Sequence, residues 1–145
     1  MMKSIEKKMM LVQERVSKLK SMSQKINSFE EYISSQENID IAERNIHIAI
    51  EACMDIGKII ISNMNLKEPV DNKGIFSVLA EARVINKKSL GFLMPMAGTR
   101  NILVHGYDRV DNALIYGIIK KHLHDFDKFL SQVSQHTEKD LKNDL

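Results

Sequence analysis

Residues 42–61, AERNIHIAIEACMDIGKIII, contain no proline and set their apolar side chains on one helical seam. Ala42, Ile46, Ala49, Cys53, Ile56, Ile60 and, just beyond, Met64 recur in steps of three and four. Arg44, His47, Glu51, Asp55 and Lys58 form a polar stripe about 200° away around the axis. A half-buried strand would alternate every second residue instead, so this stretch reads as an amphipathic helix that buries one face. It is expected to stop within NLKEPVDNKG (65–74), where Pro69, Asp71-Asn72 and Gly74 act together as breakers.

The same period extends to both sides. Upstream, Ile5, Met9, Val12, Val16, Leu19, Ile26, Phe29 and Ile33 repeat it with one lapse near Met22-Ser23, giving one long amphipathic helix or two in line. Ser28-Phe29-Glu30-Glu31 has the spacing of a capping box, which argues for a break there. Downstream, Ile75, Val78, Leu79, Ala82 and Ile85 face inward from a third helix, and Asn86 or Ser89 is placed to cap a fourth. Pro95 either kinks that fourth helix or marks its start. Asp111-Asn112 caps a fifth, with Ile115, Ile119, Leu123, Phe126, Leu130 and Val133 on one face. TEKDLKNDL (137–145) reads as a flexible tail. No segment shows period-two alternation, so residues 1–136 are expected to form one all-α domain, an up-and-down helical bundle of four to five helices.

Composition narrows the function classes. The 145 residues are enough for one core, and 43% apolar with 28% charged residues argues against disorder. Twenty-one basic against 19 acidic side chains leave a formal charge of +2, so any nucleic-acid contact must come from a local site. Cys53 is the lone cysteine, which excludes an internal disulfide and fits a reducing compartment. No apolar run approaches the roughly 18 residues of a membrane span. MMKSIEKKMMLVQERVSK at the N-terminus is charged throughout and lacks the apolar core of a signal peptide. A cytoplasmic protein without a membrane partner is the expectation.

The chemistry-bearing residues crowd into GTRNILVHGYD (98–108). On an ideal helix Arg100 and His105 lie about 140° apart, whereas Asn101 and His105, four apart, share a face. Gly106 commonly terminates a helix, so His105 is expected in the last turn, where the helix dipole favours a protonated ring. A guanidinium can hold a phosphate in its fork, an imidazole can move protons, and an amide can orient a neighbour. RNA supplies its own nucleophile, the 2′-hydroxyl, so such a set can act on it without a metal. Spacing alone leaves two readings open: phosphodiester chemistry, or polar residues on an ordinary amphipathic helix.

MAGTRNILVHGY (96–107), followed by DRVD, resembles the signature of the HEPN superfamily and closely its HepT-like branch. In that branch Arg, a polar residue, a few apolar residues and His-x-Tyr close a helix of an all-α bundle. The segment 42–61 resembles the helix such proteins carry upstream, and the likeness extends over roughly residues 5–133. Two departures are local: Thr99 stands where a bulkier apolar residue is expected, and Pro95 interrupts the helix. The resemblance implies a homodimeric, metal-independent endoribonuclease without a cofactor, acting on RNA as the toxin of a two-gene toxin–antitoxin module. Its implied partner is an MntA-type minimal nucleotidyltransferase that neutralises it by adding AMP. Carried onto this chain, Arg100 and His105 are the catalytic pair, Asn101 supports them, and Tyr107 accepts AMP. The resemblance also admits a module that pairs with such a partner, or binds RNA, without cutting.

Other residues receive plainer readings. His122 and His124 point to different sides of a helix, so a shared metal is not expected. His47, four residues from both Glu43 and Glu51, fits ordinary surface pairing, and Cys53 fits the core. Lys3, Lys7, Lys8, Arg15, Lys18, Lys20 and Lys25 make either a track for RNA phosphates or, the favoured reading, a solvated helix face. Glu51 and Asp55 are placed to reach an active site from the polar stripe.

Overall fold

A computed structural model of the chain describes residues 2–105 and 110–143. The described residues contain helices α1 (Met2–Lys25), α2 (Phe29–Ile33), α3 (Gln36–Asn63), α4 (Asn72–Glu81), α5 (Leu90–His105), α6 (Asn112–Gly117) and α7 (Leu123–Asn143). A 3-10 turn at Lys87–Ser89 leads into α5, and a π-helical stretch at Ile118–His122 joins α6 to α7. The fold is an all-α bundle. Its helices follow the anticipated runs: the first run divides into α1 and α2, and the fifth, capped at Asp111, is divided by the π-helical stretch into α6 and α7.

The break after α1 follows from local chemistry. The Ser28 hydroxyl accepts from the Glu31 amide at 3.1 Å, while the Glu31 carboxylate accepts from the Asn27 amide at 2.7 Å. The capping box thus forms with its return bond shifted by one residue, and the first apolar run is two helices rather than one. Ser35 caps α3 through the Asn38 amide, so that helix starts earlier than its seam announces. The lysine of the π-helical stretch, Lys120, donates to the carbonyls of Ser23 and Ile26 at the end of α1, where helix carbonyls lack partners.

Asn65 and Arg83 sit in the left-handed region at the ends of α3 and α4, with φ of 53° and 62°. Each closes a paired-bond cap. The Leu66 and Val84 amides reach back to the Ile61 and Leu79 carbonyls, and the Asn65 and Arg83 amides reach those of Ser62 and Ala80. The third helix therefore ends before Ile85, which is buried from the following loop. Asn86 and Ser89 do not cap α5 in the usual way. Both bind Gln132 of α7, the Asn86 amide donating to its Oε1 at 2.7 Å and its Nε2 donating to Ser89 Oγ at 2.8 Å. Asp111 caps α6 as its sequence suggests, accepting from Ala113 and Leu114.

The core lies between α1 and α3 and is closed by α4, α5 and α7. Val12, Val16 and Leu19 of α1 and Ile46, Ala49, Cys53 and Ile56 of α3 are buried in one cluster, while Phe76 packs edge-on against Phe129 at 5.8 Å. Burial pushes the Cys53 thiol pKa well up, which keeps it protonated. Gly57 lets α4 approach α3 closely, since a Cβ there would stand 2.5 Å from Ile75 Cγ2. α7 continues as helix to Asn143, into the segment expected to form a tail, with Thr137 Oγ1 donating to the Val133 carbonyl at 2.8 Å. No helix of the described residues is long and apolar enough to cross a membrane.

Candidate active site on the motif helix

α5 begins at Leu90, so Pro95 lies inside the helix. It lacks the amide that would bond the Gly91 carbonyl, and the Thr99 hydroxyl donates to the Pro95 carbonyl at 3.0 Å. Thr99 is buried, which explains why a small residue with a self-satisfied hydroxyl stands where bulk was expected.

The helix turns Arg100 toward α3. Its Nε donates to Glu51 Oε2 at 2.7 Å and its Nη2 donates to Glu51 Oε1 at 3.2 Å, a two-bond fork across 49 residues of sequence. The Arg100 side chain is 20% exposed and that of Glu51 37%. Hydrogen bonding to Arg100 holds the Glu51 carboxyl below the usual carboxylate range; partial burial opposes this, and the Arg100 charge and His47 reinforce it. The same bond raises the pKa of Arg100. Both groups are therefore ionised across the physiological range.

Two further pairs flank the fork. His47 Nε2 lies 3.3 Å from Glu51 Oε2, and Lys8 of α1 bridges to Asp55 at 3.0 Å. His47, Glu51, Asp55, Lys8, Arg100 and Val104 line one surface groove. His47 was read from the sequence as an ordinary surface pair. The tertiary structure adds what that reading lacked: its partner carboxylate is also the one that holds Arg100. The sequence signal was the polar stripe of α3, which becomes informative once α5 is known to pack along it.

The remaining motif residues lie elsewhere. Asn101 is exposed, and its Oδ1 accepts from Asn72 Nδ2 at the start of α4, 3.3 Å away. His105 is exposed in the last described turn of α5, and Gly106, expected to end the helix, lies outside the described residues. It shares a helix face with Asn101 rather than with Arg100, whose neighbour in the groove is Val104. Within one chain the structure thus joins Arg100 to Glu51 and His47, and sets His105 on an adjacent face. Tyr107 lies outside the described residues.

His122 pairs with Asp125 at 2.9 Å, and His124 approaches Asp127 at 4.0 Å. In the basic N-terminal helix, Lys20 pairs with Asp127, Lys18 approaches Glu14, and Arg15 donates to buried Asn45.

Comparison with known proteins settles the ancestry. The family model described as ribonuclease HepT-like matches residues 12–133. The chain belongs to the HepT-like family. It is 31% identical over 83 residues to the mRNA nuclease HepT of Shewanella oneidensis, a match covering 57% of this chain and 62% of that protein. It is also 25% identical over 95 residues to YutE of Bacillus subtilis, covering 66% of each. The matched stretches thus span less than two thirds of these curated relatives. Among solved structures it resembles a tri-AMPylated HEPN toxin of Shewanella oneidensis in complex with an MNT antitoxin, with a TM-score of 0.81 and 23% identity over 91% of this chain and 97% of that one. The cytosolic YutE of Bacillus subtilis gives 0.80 and 21%, over 94% and 90%. These structural likenesses bear on the fold of this HepT-like chain, an all-α bundle.

Proposed function

We propose that the chain is a metal-independent endoribonuclease, the toxin of a HepT/MntA-type module, with RNA as substrate and Arg100 and His105 as its catalytic pair. The observation that carries the reading is the Arg100–Glu51 fork. It uses two of the five guanidinium N–H donors and leaves three for a phosphate, on a side chain already held in one orientation. His105, exposed at the helix end, supplies a proton-transfer group. Because His105 and Arg100 occupy different faces of α5, a site assembled across a homodimer axis brings one copy's histidine toward the other's arginine. Asn101, tied to α4, supports the end of the motif helix.

In this reaction the 2′-oxygen attacks phosphorus, its proton leaves to a base, and the 5′-oxygen departs with a proton from an acid. Arg100 stabilises the charge that accumulates on the phosphoryl oxygens. RNA provides the nucleophile, so the scheme needs no metal-bound water. Neutralisation follows from AMP addition to Tyr107 by the partner nucleotidyltransferase. The added phosphates and bulk, two residues from His105, compete for the place an RNA phosphate must take. Related proteins offer precedent: one solved relative is a tri-AMPylated toxin in complex with an MNT antitoxin, and a curated relative is an mRNA nuclease.

The test uses purified protein shown by mass spectrometry to be free of tyrosine modification, a labelled RNA, and EDTA, beside His105→Ala. Cleavage by wild type leaving 2′,3′-cyclic phosphate ends, reduced at least ~100-fold in the variant, is expected. Equal cutting by both proteins removes His105 from the site. Absence of cutting on a panel of RNAs favours a module that binds its partner or RNA without cleaving.

A further inference from the structure

Resting on the nuclease reading, we propose that His47 is a second catalytic residue, acting as proton acceptor through Nδ1 on an RNA phosphodiester held by Arg100. Cleavage of this kind needs two proton transfers, one from the 2′-hydroxyl and one to the departing 5′-oxygen. The motif itself contains one histidine. The structure places another imidazole beside the motif arginine, because Arg100 Nε and His47 Nε2 both bond the same oxygen, Glu51 Oε2, at 2.7 and 3.3 Å. The two groups are no farther apart than those bonds laid end to end, and both line one groove.

The hydrogen-bond inventory also decides the working nitrogen. An ionised carboxylate can only accept, so Nε2 must carry the proton that faces Glu51. In the neutral ring Nδ1 is then the acceptor, and no hydrogen bond reaches it among the described residues. Glu51 is itself anchored by Arg100, so it orients the imidazole as a fixed group rather than as a mobile surface partner. Glu51 is therefore a positioning residue for both neighbours. An ordinary pair four residues apart on a helix requires no such convergence on the motif arginine.

The step balances with residues of two copies of this chain. His47 Nδ1 takes the 2′-hydroxyl proton as the O2′–P bond forms. The P–O5′ bond breaks, and O5′ takes a proton from protonated His105 of a second copy of the chain, brought to the groove across the dimer axis. The products are a 2′,3′-cyclic phosphate and a 5′-hydroxyl, and water exchanges the two imidazoles back to their starting states. The charged and titratable groups around His47 are Glu43, Arg44, Glu51 and Asp55 on its own helix, Lys8 from α1 and Arg100 from α5. Glu51 touches it directly, and Asp55 is paired with Lys8.

The experiment is the pH profile of kcat and KM between pH 4.5 and 9 for wild type, His47→Gln, His47→Ala and His105→Ala, with Tm measured for each. The glutamine amide can still donate to Glu51 but does not titrate, so it separates positioning from proton transfer. The expected result for His47→Gln is a fall in kcat of roughly 100-fold, KM within about threefold of wild type, and loss of the acidic limb of the profile. The acidic limb is the one in question because a base must be deprotonated to act. His47→Gln with both limbs intact and kcat near wild type, beside an inactive His105→Ala, overturns the role of His47 and leaves the nuclease reading standing. Wild type that cuts no RNA overturns both.

Discussion

Glu51→Gln removes one negative charge from the Arg100 fork while keeping the shape of the side chain. The amide retains a single oxygen for the guanidinium, so the shorter, charge-assisted bond at 2.7 Å or its companion at 3.2 Å is lost and the survivor weakens. Hydrogen bonds to charged groups contribute about 1.5–3 kcal/mol when shielded, whereas exposed ion pairs contribute about 0.2–1 kcal/mol. Arg100 is largely shielded and Glu51 more than a third exposed, which places the cost at about 1–2 kcal/mol. For a chain of this size that lowers Tm by about 2–8 °C at pH 7. The direction of the pH dependence follows from the depressed Glu51 pKa. The unfolded carboxyl takes up its proton first as pH falls, so the contribution is fully present above the ordinary glutamate range and fades as pH drops through the folded value. Thermal unfolding of both proteins at pH 7, 5, 4 and 3 should therefore show a gap that closes toward acid. In the cleavage assay the same variant should lose about 10- to 100-fold in kcat, because Arg100 is no longer held in one orientation. A gap in Tm independent of pH refutes the electrostatic account. Faster cleavage by Glu51→Gln refutes the positioning role, since it makes Glu51 a competitor of the RNA phosphate.

Three further outcomes are expected. Gly57→Ala should destabilise by about 0.5–2 kcal/mol in urea titration: alanine contributes about 0.5–1 kcal/mol through helix propensity, but overpacking against buried Ile75 costs about 1–3 kcal/mol. Asp111→Ala should cost about 1 kcal/mol in the same titration by leaving the Ala113 and Leu114 amides uncapped. Tyr107→Phe should accept no AMP from the partner nucleotidyltransferase by intact-mass measurement, and should remain toxic when the two are co-expressed.

Legibility tracked the range of the interactions. The α3 seam from Ala42 to Ile60, the Ser28 capping box and the Asp111 cap depend on residues within a turn or two of one another, and each is found where the spacing put it. The left-handed closure at Arg83 was not legible, because arginine carries no preference for that conformation and the bonds to Leu79 and Ala80 impose it. Likewise Asn86 and Ser89 looked like caps for α5, yet their partner is Gln132, more than 40 residues away.

The candidate site divides along the same line. Sequence alone determined an all-α fold and a motif on which Arg100, Asn101, His105 and Tyr107 could be numbered, since helical period, breakers and a short signature are local properties of the chain. Only the packing of α3 against α5 decided that Arg100 meets Glu51, that His47 shares the same carboxylate, and that His105 faces elsewhere. Rotation and offset between two helices depend on the whole core at once, and a one-residue change of register turns a side chain by about 100°. A polar stripe on α3 announced that something would face it; the tertiary structure decided that it is the arginine of the motif.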